Sequence, residues 1–360
     1  MIDLLTEVRP GTNRYISGKD VLKDLPLYLQ PFNKIVIITG EKSWSVFSDF
    51  YGVLEFDKFI YDGSASDEDG ERLAREIGDV DCVIAIGGGR LIDTAKLACE
   101  IIGTQLVIVP TIVSNCAPYA PVIAVYTQDT HAFKRIGVVT KAPYLTLVDW
   151  TFLLATPKDY FIAGIGDTLA KWYECEAVTR HSDPNKLKAF QLLALNTAKA
   201  ILEILLQKSE EAVRSLENQV VTDAFGQVAD TIIALAGCVG GFGERYGRVA
   251  GAHAIHNGLS LIGSTHSALH GFKVAYGILV QLAYTKDYAE IEKLMSIYNI
   301  LDLPTRLEAL NVDSSDERLI NMAEFAASEN ESFVFLDEFV TSKKILDAVM
   351  TLEKITNKSS

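Results

Sequence analysis

Over its first 150 residues the chain alternates short runs of consecutive branched apolar residues with stretches of helical spacing. The runs are KIVIITG (34–40), DCVIAIGGG (81–89), QLVIVPT (105–111), VIAVYT (122–127) and YLTLV (144–148). A strand with one wet face alternates apolar and polar positions. A strand apolar at consecutive positions is covered on both faces, which is the habit of a parallel sheet sandwiched between helices. After Pro157 the texture changes: 185–216 and 317–331 carry apolar residues at i, i+3 and i+4, and few strand-like runs remain. The pattern predicts an α/β domain with a parallel sheet over 1–157 and an all-helical domain over 158–360. The active site is expected in the cleft between them.

Composition narrows the function classes. Among 360 residues, 33 basic side chains face 47 acidic ones, a net charge of −14, and no basic cluster stands out, which argues against a nucleic-acid partner. Five cysteines lie far apart without a CxxC pair, as in a reducing compartment. The N-terminus lacks the apolar stretch of a secretion signal, and uncharged runs such as 231–243 fall short of the roughly 18 residues that span a bilayer. We therefore expect a cytoplasmic protein with a small-molecule partner, and neither a membrane nor a nucleic acid.

The second run delivers Gly87, Gly88 and Gly89 to the start of a helix, RLIDTAK. Glycines let backbone approach a phosphate closely, and the N–H groups of a helix N-terminus hold the anion, so a diphosphate fits there. A tight strand-to-helix turn without a ligand explains the same residues, and Asp93 is equally a first-turn acid favoured by the helix dipole.

Histidines are unevenly placed. Of six, four (His253, His256, His266, His270) fall within eighteen residues. His253 and His256 share a helix face in AGAHAIHNGLS, while His270 begins the next helix. Two imidazoles from adjacent helices with one carboxylate make an open catalytic metal set, and Asp167, in AGIGDTLAKWYE, is expected to open an apolar helix as that carboxylate. Helix caps and interface histidines are the competing explanation.

Taken together, GGGRLIDTAK, PTIVSNCAP followed by VYT, GIGDTLAKWYE, AHAIHNGL and LHGFKVAYGILVQL resemble the iron-containing alcohol dehydrogenase superfamily in its glycerol-dehydrogenase-like branch. The resemblance implies a dehydroquinate-synthase-like fold: a dinucleotide-binding domain, then a helical metal-binding domain. It also implies NAD(P)-linked oxidation of an alcohol or reduction of a carbonyl, in a homo-oligomer. Carried over, it makes Asp167, His253 and His270 the ligands of a divalent metal, zinc in preference to iron. It puts Gly88, Gly89 and Asp93 at the pyrophosphate, adds Arg90, Leu91 and Gly40 to the coenzyme-binding residues, and sets Thr111 and Ser114 along the nucleotide cleft. Val122 and Tyr126 would lie nearer the nicotinamide, and His256 beside it and the substrate as a proton-relay or positioning group.

Four departures from glycerol dehydrogenases bear on substrate and coenzyme. Cys116 stands where those enzymes place an aspartate for a distal hydroxyl, and Lys171 follows Asp167 by one helical turn. Arg245 and Arg248 add further charge, and any of these cations can hold a carboxylate. They can equally be surface pairs. Gly40 ends the first run where an aspartate would bind the ribose 2′-hydroxyl, so NADP(H) should be tolerated. The wording resembles the hydroxycarboxylate dehydrogenase subgroup, which implies a 2-hydroxy or 2-oxo acid. Glycerol is the alternative substrate, and a 3-dehydroquinate-synthase-like lyase the remote one.

Overall fold

The computed structural model describes residues 8–130, 133–180, 182 and 186–357. They form two compact units, one of Arg9–Phe161 with Glu211–Gly241, the other of Ile162–Glu210 with the chain from Phe242 onward.

The first unit carries β1 (Tyr15–Gly18), α1 (Leu25–Leu29), β2 (Ile35–Thr39), α2 (Glu41–Tyr51), β3 (Asp57–Ile60) and α3 (Asp67–Ile77). β4 (Cys82–Gly87), α4 (Gly89–Ile102), β5 (Gln105–Pro110), β6 (Val122–Tyr126), β7 (Phe133–Val138), β8 (Leu145–Asp149) and α5 (Trp150–Leu153) follow. Six strands form a wholly parallel sheet in the order β1-β8-β5-β4-β2-β3. Successive side chains explain why the runs are continuously apolar. Val36, Ile38, Val83, Ala85 and Ile108 pack with Leu91, Ile92 and Leu73 on one face, while Ile37, Ile84, Ile86 and Val107 pack with Leu25, Phe47 and Phe152 on the other. Each fully buried Val, Leu, Ile or Phe among them stabilises the fold by about 1.5–3 kcal/mol.

VIAVYT departs from the expected pattern. It is β6, paired antiparallel with β7 in a separate two-stranded hairpin. Only Ile123 and Val125 of β6 are fully buried, alternating with half-buried neighbours, so one face is covered and not two.

Helices dominate the rest: α6 (Lys158–Thr179), α7 (Ala189–Glu217), α8 (Asp223–Asp230), a π-turn at Thr231–Leu235 and α9 (Ala236–Phe242). After them come α10 (Arg245–Arg248), α11 (Gly251–Leu259), α12 (His270–Thr285), α13 (Tyr288–Leu301), α14 (Arg318–Ala326) and α15 (Ser342–Asn357). A sequence-order division at 157/158 assigns 211–241 to the helical part, whereas these residues group with the sheet unit. The reason is polar as well as apolar. Asp230 Oδ1 accepts from Tyr15 Oη at 2.7 Å and Ser17 Oγ at 2.5 Å, while Gln219 Nε2 donates to the Leu154 carbonyl at 2.9 Å. Two helical stretches, Ala189–Asn218 and Asp223–Phe242, are long and apolar enough to cross a membrane by length and composition, although neither is an uncharged run. The second is mostly buried, as the core helix of a folded unit is.

Within the helical unit α6, α11 and α12 approach very closely. A Cβ on Gly271 would lie 1.8 Å from the Ala163 carbonyl oxygen, and one on Gly277 2.3 Å from that of Ala252. Gln281, almost fully buried in α12, accepts from the Ala252 N–H at 3.0 Å and donates to the Tyr173 carbonyl at 2.8 Å. Three helices are thereby locked in one register.

Candidate active site

That register assembles a trio. Asp167 comes from α6, His253 from α11 and His270 from the first position of α12, and one ligand atom from each lies within 4.8 Å of the others. Asp167 sits mid-way along α6 instead of opening a helix, because the helix begins nine residues earlier at Lys158. Asp167 Oδ1 stands 3.4 Å from His253 Nε2 and 3.2 Å from His270 Nε2. It is buried with no hydrogen-bond partner among the described residues. Two ligands about 2.0–2.1 Å from a common tetrahedral centre are about 3.3–3.4 Å apart, so these separations fit a divalent cation. The donor set, one oxygen and two imidazole nitrogens, suits zinc or iron(II). His270 leaves half of its side chain exposed, so the trio has an open flank, as a catalytic site needs.

The charges around the trio are arranged for a cation. Burial opposes ionisation of Asp167, but His270 and His253 outweigh it and hold the carboxyl well below its usual range. Burial likewise works to lower the His253 pKa, and Glu174 with Asp167 overcomes it, lifting the value to about 9. His256 is held well below its ordinary value by burial, then by the charges of His270 and Lys273. Lys273, whose Nζ donates to Ser260 Oγ at 2.8 Å, is itself pushed down to about 8 by burial.

Several supporting residues lie outside the set expected from the sequence. Glu174 Oε2 lies 2.8 Å from His253 Nδ1, and its Oε1 accepts the N–H groups of Ala250 and His253 at 2.7 and 2.9 Å. Its signal was available: it stands seven residues, two helical turns, after Asp167 in the same motif. Asn257 and Glu331 join His256, as described below, and nothing in the sequence marked Glu331. His256 Nε2 lies 2.9 Å from His270 Nδ1, so its ring stands next to the trio. Lys171 is buried and donates from Nζ to the Arg248 carbonyl at 3.0 Å. The side chain of Arg245 lies outside the described residues.

The glycine loop belongs to the sheet unit. The chain runs outward from β2 to β3 and then returns to place β4 on the other side of β2, so the strand order reverses between β2 and β4. Ligands of open α/β sheets bind outside the carboxyl ends of strands at such a point. Gly40 follows β2, Gly88 caps α4 after β4, and Thr39 and Ile86 are register partners, so the two glycines flank it. A Cβ on Gly89 would lie 2.8 Å from the Asn115 side chain, and one on Gly40 2.9 Å from the Tyr61 ring. Leu91 is buried beneath the turn, and the N–H of Thr111 donates to the Gly87 carbonyl at 3.1 Å. Arg90 lies over the Tyr126 ring, 4.6 Å from its centre. Ser114, Cys116 and Val122 are half-buried in the same unit.

Asp93 has both carboxylate oxygens engaged within the sheet unit. Its Oδ2 accepts the Ala124 N–H at 3.0 Å, and its Oδ1 pairs with Lys96 Nζ at 3.2 Å. The Lys96 ammonium also donates to the carbonyls of Ala117, Ala120 and Val122 at 2.7, 2.7 and 2.9 Å. This buried pair pins β6 and the segment before it onto α4.

Residues 12–150 match the family model of iron-containing alcohol dehydrogenases. Over 263 residues, 73% of this chain and 72% of the relative, the sequence is 42% identical to hydroxycarboxylate dehydrogenase A of Escherichia coli (strain K12). The chain belongs to the iron-containing alcohol dehydrogenase family. A glycerol dehydrogenase from Thermotoga maritima is 33% identical over 98% of this chain and 97% of its own length. The crystal structure of a probable glycerol dehydrogenase from Sinorhizobium meliloti 1021 superimposes with a TM-score of 0.86, at 25% identity, covering 99% of this chain and 100% of that one. As a member of the iron-containing alcohol dehydrogenase family the protein is an oxidoreductase acting on alcohols or hydroxycarboxylates. Dehydrogenases of this family use NAD(P) and a divalent metal, and the Asp167, His253 and His270 trio is a site able to hold one.

Proposed function

We propose that the enzyme interconverts a small 2-hydroxy acid and its 2-oxo acid, transferring a hydride to or from NAD(P), with zinc in preference to iron at Asp167, His253 and His270. Lys171 carries the choice of substrate. Its ammonium is buried one turn from Asp167 and makes a bond to the Arg248 carbonyl, and an ammonium has three donors with which to hold a carboxylate as well. Cys116 supports the reading, since a thiol offers a poor partner to the distal hydroxyl of a polyol. The similarity to a hydroxycarboxylate dehydrogenase points the same way.

A divalent cation at the trio supplies acidification of a substrate hydroxyl in one direction and polarisation of a carbonyl in the other. The chain's own residues supply alignment. Glu174 fixes the ring of His253, Gly271 brings His270 onto α6, and the backbone around Gly88 and Gly89 can hold a diphosphate. Gly40 presents no carboxylate to a 2′-phosphate, so NADP(H) is accepted. The reading includes a cytoplasmic homo-oligomer with a small-molecule partner.

Glycerol oxidation is the second reading, favoured by the nearly full-length similarity to glycerol dehydrogenases. Absorbance at 340 nm separates the two. Metal-loaded enzyme is assayed with NADH or NADPH against 2-oxobutyrate, 2-oxoglutarate and dihydroxyacetone, and with glycerol in the oxidative direction. Faster turnover of the 2-oxo acids is the expected result; turnover confined to glycerol and dihydroxyacetone overturns the substrate class.

A further inference from the structure

The two histidines of the trio are held from behind in different ways. Behind His253 stands an anion, Glu174. Behind His270 stand two uncharged groups, with a carboxylate only at the far end. His270 Nδ1 meets His256 Nε2 at 2.9 Å, His256 Nδ1 meets Asn257 Oδ1 at 2.9 Å, and Asn257 Nδ2 donates to Glu331 Oε2 at 3.0 Å. We propose that His256 is a positioning residue of the metal centre, which receives the Nδ1 proton of His270 and is itself oriented through Asn257 by Glu331. This rests on the trio being a metal site.

Proton counting along the chain supports one assignment. The Glu331 carboxylate accepts, so the Asn257 amide must turn its NH2 group toward it and its oxygen toward His256. An amide oxygen accepts, so His256 Nδ1 carries the proton and Nε2 keeps its lone pair. That lone pair faces His270, so His270 carries a proton on Nδ1, and Nε2, turned toward Asp167, is the nitrogen left for a cation. With both imidazoles neutral, as metal ligation requires of His270, reversing any one of these three links sets two acceptors or two donors face to face. A side chain some 61 residues along the sequence from His270 thus selects the tautomer of His270. The anchor is itself fixed: Ser332, next to Glu331, donates from Oγ to the Ala250 carbonyl at 2.6 Å, at the start of α11.

Outer partners of metal-ligating histidines are worth 10–100-fold in metal affinity. The test uses cobalt(II) as the probe, with its dissociation constant measured by chelator competition and its visible spectrum recorded, alongside the melting temperature of each metal-free protein. His256→Ala is expected to weaken cobalt binding about 10–100-fold. His256→Gln, whose amide oxygen can still accept from His270, is expected to recover most of the loss, and Asn257→Leu to weaken binding several-fold. All three should melt within a few degrees of the wild type. If His256→Ala binds cobalt within twofold of the wild type while kcat falls, His256 acts on substrate or nicotinamide, and the proposal is overturned. It is also overturned if His256→Gln binds no better than His256→Ala. Should His256→Ala fail to fold, the Gln and Leu variants carry the same comparison. Failure of the wild type to bind cobalt would remove the trio's metal reading itself, a result distinct from the others.

Discussion

Glu174 uses one carboxylate for two tasks, holding the His253 ring through Oε2 and capping the start of α11 through Oε1. Because Glu174 holds a proton on Nδ1 of His253, Nε2 is the nitrogen turned toward Asp167 and the one a cation would take by displacing its proton. Replacing Glu174 by Gln preserves shape but removes the charge that makes the imidazole a stronger donor. Zinc affinity measured by chelator competition should fall about 10–100-fold, with kcat restored at saturating metal. An unchanged affinity would show that the charge is irrelevant.

Gly271 is where two helix backbones meet. An Ala there would place its methyl group 1.8 Å from the Ala163 carbonyl oxygen, so the helices must separate. Gly271→Ala should destabilise the protein by about 1–3 kcal/mol in urea unfolding and lower metal affinity as well. Gly263, where a Cβ meets nothing within 4 Å, is the control, and Gly263→Ala should leave both unchanged.

Lys273 gives stability a pH dependence of definite sign. Its folded-state pKa of about 8 lies below the ordinary 10.5. Below pH 8 the amine is charged in both states and its burial opposes folding in full. Between these values the unfolded chain keeps a proton that the folded chain has released, so stability rises with pH. The stability of the wild type minus that of Lys273→Met should therefore increase from pH 7.5 to pH 10, measured in urea. A flat or falling difference contradicts this.

Lys171 is tested by substrate charge. A charge-assisted bond contributes about 1.5–3 kcal/mol, so Lys171→Met should raise KM for 2-oxobutyrate roughly 10–100-fold. The KM for dihydroxyacetone should move less than threefold. Equal changes would mean that Lys171 only supports the Arg248 carbonyl.

Much of this architecture is legible in the chain because burial writes directly into residue order. The unbroken runs at 35–39, 82–87 and 105–110, short, rich in branched residues and bounded by glycine or proline, read as covered strands, and they are the centre of the sheet. Asp167, His253 and His270 are legible as a group because few side chains can ligate a metal, and the fold brings these three together. What escapes is whatever depends on a long-range partner. Asp93 reads as an acid near a helix start, and only the fold reveals Lys96 and the Ala124 N–H against it. β6 resembles its neighbours in composition, and its one-sided covering becomes visible only with β7 beside it. Residues 211–241 are as helical as the segments around them, and nothing local announces that Asp230 will serve Tyr15 and Ser17.

That last contact has a consequence for anyone wishing to cut the molecule apart. The sheet half of such an enzyme looks like a portable cassette, separable by a stop codon after residue 161. A fragment ended there would strand Ser17 and Tyr15 without their acceptor and strip Trp150 of the helix against Gly226. Transplanting this half into a chimera therefore means carrying 211–241 along, as an insertion or a circular permutation.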